Sequence, residues 1–278
     1  MLETHAADPD RAPMNAAEDA AARAVVAVPT ERPLRDDVLV VVPTYNELDN
    51  IEPISRAVLG EGFRLLVVDD GSPDGTGTRA DAIASEYSDD RMSVLHRTEK
   101  GGLGPAYAAG FAWGLDHDAS ILCEMDADFS HDPLDLRRLI AAVDGGADLA
   151  IGSRYVPGGG VTEWPWHRRA LSRGGNMYAR LVLGTPVSDM TAGFRAFRAD
   201  AIRRIRPQEC RASGYAFQIE MAWRAHLAGL EILEVPITFR DRLRGDSKMD
   251  KAIAVEAIKL ITGWGFGRIR GRLPLRAE

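Results

Sequence analysis

The sequence has few of the features that mark disulfide-rich, zinc-binding or membrane-spanning proteins. Its 278 residues include two cysteines, Cys123 and Cys210, which are far apart and form no paired pattern. Neither a disulfide framework nor a zinc site is indicated, and a reducing compartment is expected. No apolar run approaches the ~18–20 residues of a membrane-spanning helix. The acidic, alanine-rich N-terminus lacks the basic and apolar segments of a secretory signal.

Charge also excludes one class of function. The net charge of −7 argues against general nucleic-acid binding. Residues 240–278, however, hold ten basic residues against five acidic ones. This basic end could meet a phosphate or an anionic membrane, or it could be a solvated tail, and the residues alone leave both open. Residues 1–36 have the composition of a disordered segment.

Five buried strands alternate with helices in the first half of the folded part. The strand segments are VLVVV, FRLLVVDD, MSVLHR, SILCEMDAD and DLAIGSR. Such alternation predicts a mostly parallel α/β sheet, which binds ligands beyond the carboxyl ends of its strands. After Arg154 the alternation stops. There we predict a basic helix, then a loop and a short helix over DMTAGFRAFRADAI, and a late strand over LEILEVPITFRDR.

Acidic residues cluster where these strands end. Asp70 follows the second strand, and Asp126 and Asp128 follow the fourth. Alternate residues at a strand end share a side, so Asp126 and Asp128 could hold one hard cation, Mg²⁺ or Mn²⁺. The alternative for this D-x-D pair is two solvated turn acids. Asp132 precedes Pro133 and is expected to cap the next helix.

Two glycine-containing segments suggest other ligands but fit them poorly. VVDDGSPDGT has acidic spacing like that of a calcium loop, but a strand precedes it where a helix is required. GGLGPAYAAG has Tyr107 where a dinucleotide fingerprint needs its third glycine, so close packing of a helix on the sheet is favoured. The basic segment FRDRLRGDSK could close over a phosphate or be an ordinary surface loop.

The motifs, taken in order, resemble those of one enzyme family. The sequence is similar to the polyprenol-phosphate (dolichol-phosphate) mannose synthases, which are inverting family-2 glycosyltransferases, over roughly residues 38–262. The motifs that carry the resemblance are PTYNE, VVDDGSPDGT, MDADFSHDP, GSRY, RRALSRGGN, DMTAGFRAF, GYAFQIEM and RLRGDSK. Their shared order is far more specific than any one of them.

The resemblance implies a GT-A fold and a set of site residues. The guanosine part of GDP-mannose would be bound by Pro43, Tyr45, Glu47, Val68 and Asp70. The metal on the donor diphosphate would be held by Asp126 and Asp128, with the Ala127 backbone nearby and Ser130 where some members place a glutamine ligand. Phosphates would be contacted by Arg154, Arg242 and Lys248, and the lipid phosphate by Arg168 and Arg173.

The resemblance also implies the reaction and its surroundings. Mannose would pass from GDP-mannose to a polyprenyl phosphate with inversion, and Asp128, Arg242 and Lys248 would act in catalysis. The enzyme would be cytoplasmic and peripherally bound to the membrane, directly or through an anchoring partner protein. We expect a catalytic domain over residues 37–262 and a basic tail over 263–278. Alternatives are a UDP-glucose-dependent glucosyltransferase and a non-catalytic sugar-nucleotide-binding subunit.

Overall fold

A seven-stranded sheet organises the protein. The computed structural model describes residues 33–88, 90–210, 212, 214–241 and 251–269. The strands of the large sheet are β1 (Arg35–Thr44), β2 (Phe63–Asp69), β3 (Met92–His96), β4 (Ile121–Glu124), β5 (Leu149–Ser153), β7 (Arg195–Arg198) and β8 (Ile232–Pro236). A second, two-stranded sheet consists of β6 (Gly160–Val161) and β9 (Thr238–Phe239).

Helices connect most of these strands. They are α1 (Leu48–Gly60), α2 (Thr76–Ala84), α3 (Leu103–Asp116), α4 (Leu136–Asp144), α5 (Trp166–Leu183), α6 (Ala199–Ile205), α7 (Gly214–Leu227) and α8 (Lys251–Ile269). Short 3-10 turns occupy Pro133–Asp135 and Pro207–Glu209. Among the helices of the described ranges, none combines the length and the apolarity needed to cross a membrane.

The strand order, β3-β2-β1-β4-β7-β5-β8, brings the important strand ends together. All neighbouring strands are parallel except β7, which runs antiparallel to both β4 and β5. Thr44 is in register with Asp69, and Val41 with Glu124. The ends of β1, β2 and β4 therefore meet at one edge of the sheet, as the sequence predicted.

Alternate residues of β1 supply the two hydrophobic cores. Val38, Val40 and Val42 pack with the apolar faces of α1, α2 and α4. Leu39 and Val41 face the other layer, where α3, α6 and α7 and parts of α5 and α8 cover the sheet. Both faces of the sheet are thus buried, which accounts for the continuous apolar run in this strand.

The predictions for the second half are partly wrong. Residues 195–198, taken from the sequence as part of a loop, form β7, because Arg195 and its neighbours pair with β4 and β5. The single strand expected over LEILEVPITFRDR is two strands that pair with different partners, β8 with β5 and β9 with β6. In the same half of the chain, Trp264 of α8 stacks on Trp223 of α7, with ring centroids 5.7 Å apart.

Candidate active site

The loop after β4 presents its acids in different environments. Asp126 lines a cavity, whereas Asp128 is buried, with 5% of its surface exposed. The Asp128 carboxylate accepts bonds from the Ser130 N–H, at 3.0 Å, and from the Ser130 hydroxyl. Phe129, between them, has a positive φ of 59°, a value uncommon for a residue other than glycine. The loop itself therefore fixes the orientation of Asp128.

The other two acids of this stretch have structural roles. Asp132 accepts a bond from the Leu134 N–H at 3.0 Å, which confirms the predicted cap. Glu124 is fully buried, and its Oε2 lies 4.0 Å from Nε of the equally buried Arg195. Burial raises the pKa of Glu124 to about 7, against the opposing influence of Arg195 and Gln218. The acids at and after the end of β4 therefore divide into a core ion-pair partner, a helix cap and the D-x-D pair, of which Asp126 lines the cavity.

Both polar and apolar side chains line the cavity. Its volume is about 220 Å³. Its polar lining includes Asp126, Ser130, His131, Arg154 and Arg168, and its apolar lining includes Leu171, Ala257, Ile258 and Ile261, from α5 and α8. Such a cavity suits a ligand that joins a charged group to a hydrocarbon.

Arg154, expected to contact the donor phosphates, is held by a carboxylate. Its Nε and Nη2 donate to the two oxygens of the fully buried Asp189 at 2.8 and 2.6 Å. Asp189 is held in turn, because its N–H and that of Ser188 donate to Glu234. The pair anchors Arg154 in the wall of the cavity.

Arg168 and Arg173, expected to bind the lipid phosphate, lie against aromatic rings. The Arg168 guanidinium is 4.1 Å from the centroid of Trp164, and Arg173 is 5.7 Å from that of Tyr155. Arg168 also donates to Asp241 at 2.9 Å. Cation–π contact orients a guanidinium without cancelling its charge, so both arginines can attract an anion, although Asp241 offsets part of the charge of Arg168.

The predicted guanosine residues lie at the ends of β1 and β2. Pro43 and Val68 are in register between the two strands. Asp70 accepts bonds from the N–H groups of Gly101 and Gly102, at 3.1 and 2.7 Å, and from Arg97. Asp70 thus ties the loop before α3 to the sheet edge, a use that the sequence did not predict.

Tyr45 and Glu47, also expected at the nucleotide, both contact other side chains. The Lys100 ammonium lies 3.7 Å from the centroid of the Tyr45 ring. Glu47 accepts a bond from the Asn50 side chain at 2.9 Å. Ala127, which stands between Asp126 and Asp128, is buried.

Arg242 and Lys248, predicted to act in catalysis, lie outside the described residues.

Sequence reasoning gave no role to several groups near the site. Lys100 directly precedes the glycine segment, and Asp189 opens DMTAG. Gln218 lies within GYAFQIEM and lines the cavity. Each falls in or beside a segment that the sequence analysis singled out, but only the folded chain reveals what each side chain contacts.

The described residues offer only part of a metal coordination shell. Within the described ranges, no group of three or more histidine, cysteine, aspartate or glutamate side chains is arranged to hold an ion. Two carboxylates on one loop leave most coordination positions to other donors. Oxygen donors of this kind suit Mg²⁺ or Mn²⁺ that is shared with substrate phosphates and water.

Comparison with known families identifies the enzyme class. Residues 39–206 match the family described as Glycosyl transferase family 2. The chain belongs to this family. It is therefore a glycosyltransferase, and the resemblance found in its motifs is confirmed by curated relatives.

Two curated relatives match this glycosyltransferase over nearly its whole folded length. It is 51% identical over 247 residues to polyprenol monophosphomannose synthase of Mycolicibacterium smegmatis, covering 88% of the chain and 90% of the relative. It is 47% identical over 245 residues to undecaprenyl-phosphate mannosyltransferase of Micrococcus luteus, covering 86% of the chain and 99% of the relative.

Solved structures support the fold of the glycosyltransferase. Glucosyl-3-phosphoglycerate synthase of Mycobacterium tuberculosis, solved with Mn²⁺, UDP and glucosyl-3-phosphoglycerate, aligns with a TM-score of 0.57 at 19% identity. The alignment covers 87% of this chain and 81% of that one. Mannosyl-3-phosphoglycerate synthase of Rubrobacter xylanophilus also aligns with a TM-score of 0.57, at 18% identity, covering 87% of this chain and 77% of that one. The expected GT-A fold is confirmed.

Proposed function

We propose that the enzyme transfers mannose from GDP-mannose to a polyprenyl phosphate, with inversion at the anomeric carbon and with a divalent metal. The observation that carries this proposal is the mixed lining of the cavity. Its carboxylates and arginines suit phosphates, and the apolar side chains that α5 and α8 contribute to it suit an isoprenoid chain. The names of the two curated relatives, a polyprenol monophosphomannose synthase and an undecaprenyl-phosphate mannosyltransferase, support the same acceptor and sugar. The catalytic domain would span residues 37–262.

Asp126 and Asp128 would hold Mg²⁺ or Mn²⁺, with the Ser130 hydroxyl close by. Their carboxylate oxygens are suitable ligands, and the Asp128–Ser130 contacts pre-orient one of them. When bound, the metal offsets the charge that develops on the GDP leaving group. Asp128 would orient the metal and the sugar and would not act as a base.

The acceptor needs positioning more than deprotonation. A polyprenyl phosphate is already anionic at neutral pH, so the barrier lies in bringing two anions together. Arg168 and Arg173 would bind the lipid phosphate, and Arg154, fixed by Asp189, would contact the donor phosphates. Arg242 and Lys248 would clamp the donor phosphates. A direct in-line attack then gives a β-linked mannosyl phosphate.

A surface on α5 and α8 would meet the membrane that holds the lipid. Large apolar side chains are exposed there: Trp166, Leu171, Met177 and Leu181 on α5, and Ile258 and Phe266 on α8. Arg169, Arg180, Lys259 and Arg268 lie on the same helices. An apolar and basic surface of this kind fits peripheral association with the anionic cytoplasmic face of a membrane, with or without an anchoring partner protein.

Transfer of label to lipid tests the proposed reaction. The full chain is incubated with Mg²⁺ or Mn²⁺, polyprenyl phosphate in detergent and labelled GDP-mannose, and the organic phase is counted. Label that is lost with chelator or in Asp126→Asn, but kept in Asp135→Asn, supports the proposal. Label only from UDP-glucose supports the glucosyltransferase alternative. Binding of GDP-mannose without any transfer supports the non-catalytic alternative.

A further inference from the structure

Gln218 of α7 combines burial with an unused hydrogen-bonding capacity. Its side chain is 1% exposed. Neither the oxygen nor the nitrogen of its amide makes a hydrogen bond of good geometry within the described residues, although the amide is near enough to the Glu124 carboxylate to lower the pKa of that group. Native proteins rarely bury an amide in this way, because the amide loses its hydrogen bonds to water and forms no others in their place. We therefore expect the amide to form hydrogen bonds with a bound ligand.

The Gln218 amide lies near the part of the cavity that Asp126 lines. Gln218 and Asp126 line the same cavity. Gly193 lies between them, since a Cβ built on Gly193 would be 3.6 Å from Gln218 Nε2 and 3.8 Å from Asp126 Oδ2. The absence of a side chain at Gly193 leaves open the space between the amide and the carboxylate. A ligand group in this space would touch both.

The surroundings of α7 fix Gln218 in this position. Phe217 stacks on Tyr107 with an interplanar angle of 5° and ring centroids 6.4 Å apart. Glu220 accepts from Arg224 at 2.9 Å and from the Ala212 N–H at 3.1 Å. Residues on both sides of Gln218 are therefore anchored, which holds this part of α7 at the cavity.

We infer that Gln218 binds a hydroxyl group of the donor's hexose and so contributes to the choice of sugar. An amide offers one acceptor and a pair of N–H donors, which match a hydroxyl that both donates and accepts. Because the amide is neutral, it adds no charge beside the carboxylates or the diphosphate. The inference rests on the proposed function, since it needs a nucleotide-sugar in the cavity.

Binding of GDP and of GDP-mannose, compared in the same proteins, tests this inference. Gln218→Met keeps an unbranched side chain of similar length and removes the amide. Gln208→Met is the matched control, because Gln208 is exposed and is the only other glutamine of the chain. Calorimetry with Mn²⁺ measures both ligands. We expect Gln218→Met to bind GDP within about twofold of wild type and GDP-mannose about tenfold more weakly, the size of one lost hydrogen bond to a buried group.

Deoxygenated donors identify the hydroxyl that is bound. For wild type, one deoxymannose analogue of GDP-mannose should bind about tenfold more weakly, whereas Gln218→Met should bind that analogue and GDP-mannose alike. Thermal unfolding of the free proteins separates this role from a structural one. Removing an unpaired amide should leave the melting temperature of Gln218→Met equal to or above that of wild type, whereas an amide that supports Glu124 would lower it.

Several outcomes would overturn the inference. The inference fails if wild type and Gln218→Met bind GDP-mannose equally well. It also fails if Gln218→Met loses affinity for GDP and for GDP-mannose by the same factor. If Gln218→Met does not fold, Gln218→Asn replaces it, and unchanged discrimination between the deoxy donors would count against the role. If wild type does not bind GDP-mannose, the mannosyl assignment fails, and the same comparison with UDP and UDP-glucose decides the role of Gln218 by itself.

Discussion

The Arg154 guanidinium and the Asp189 carboxylate form a two-bond ion pair in the wall of the cavity, with Nη2 and Oδ1 2.6 Å apart and Nε and Oδ2 2.8 Å apart. The two side chains are 8% and 0% exposed. Two charges removed from water to this degree are stable only together. Arg154 therefore acts at the site through a partner 35 residues away.

Removing the carboxylate of this pair should destabilise the protein strongly. Asp189→Asn leaves a buried guanidinium without its counter-charge, so we expect a loss of about 3–5 kcal/mol in urea unfolding. Asp200→Asn, which breaks an exposed pair with Arg203, should cost less than about 1 kcal/mol. Equal losses in the two variants would mean that the buried pair contributes no more than a surface one.

Close packing of α3 on the sheet makes a second prediction. A Cβ at Gly110 would clash with Val41, so Gly110→Ala should destabilise by about 1–3 kcal/mol. Helix propensity alone predicts the opposite effect, an increase in the free energy of unfolding of up to about 1 kcal/mol. Gly174→Ala on α5 has open space around its Cβ and should show that gain. Chemical unfolding measures the change in the free energy of unfolding for each variant. An increase for Gly110→Ala would contradict the close contact between Gly110 and Val41.

Metal binding should depend on the nucleotide. Because the described residues offer no set of three acidic, histidine or cysteine ligands, free Mn²⁺ measured by electron paramagnetic resonance should fall only slightly with protein alone and strongly once GDP is added. Asp126→Asn and Asp128→Asn should each weaken the GDP-dependent binding at least about tenfold. Asp135→Asn, whose carboxylate pairs with Arg138, should not. Tight binding without GDP would show a more complete metal site.

The exposed apolar side chains of α5 and α8 predict where the protein meets lipid. Leu181 and Phe266 are 72% and 60% exposed. Replacing both with glutamate should greatly reduce flotation with vesicles that contain phosphatidylglycerol, since apolar contact is lost and two like charges are added. Leu34→Glu changes a leucine of comparable exposure, 57%, on neither helix and should float as wild type does. Equal flotation of all three proteins would exclude this surface.

Asp37 gives a pH-dependent prediction away from the site. A bond from Arg35 lowers the pKa of Asp37 from 3.8 to about 2 in the folded protein. Between these pH values the unfolded chain binds more protons, so the contribution of Asp37 to stability is complete above pH 3.8 and is lost as the pH falls through about 2. The stability difference between wild type and Asp37→Asn should shrink over that range. A constant difference would contradict the assigned pKa.

The strands and caps that the sequence predicted are those with strong local signals. Val38–Val42 is a continuous apolar run with valine at four of its five positions, and Asp132 directly precedes a proline, so neighbouring residues settled both. The short strand Arg195–Arg198 has two arginines in four residues and no such signal. It forms because β4 and β5 hold it on both sides and Glu124 lies beside the Arg195 side chain.

In the site too, the sequence predicted which residues take part but not which distant residues they contact. The order of the motifs indicated the acids after β2 and β4 and the arginines of α5. The partners of those residues come from elsewhere in the chain: Asp70 is bound by Gly101 and Gly102, and Arg154 by Asp189. These contacts join residues that are far apart along the chain and form only in the complete fold. Patterns among neighbouring residues therefore do not predict them.

The place of β7 in the sheet has a consequence for synthesis on the ribosome. β7 lies between β4 and β5, yet it is translated after both. Until Arg198 has left the exit tunnel, β4 and β5 are separate edges with unpaired backbone groups, and such edges invite aggregation. The nascent chain therefore cannot complete the sheet from the first half of the sequence before the second half has been translated. Both halves must close around one late strand.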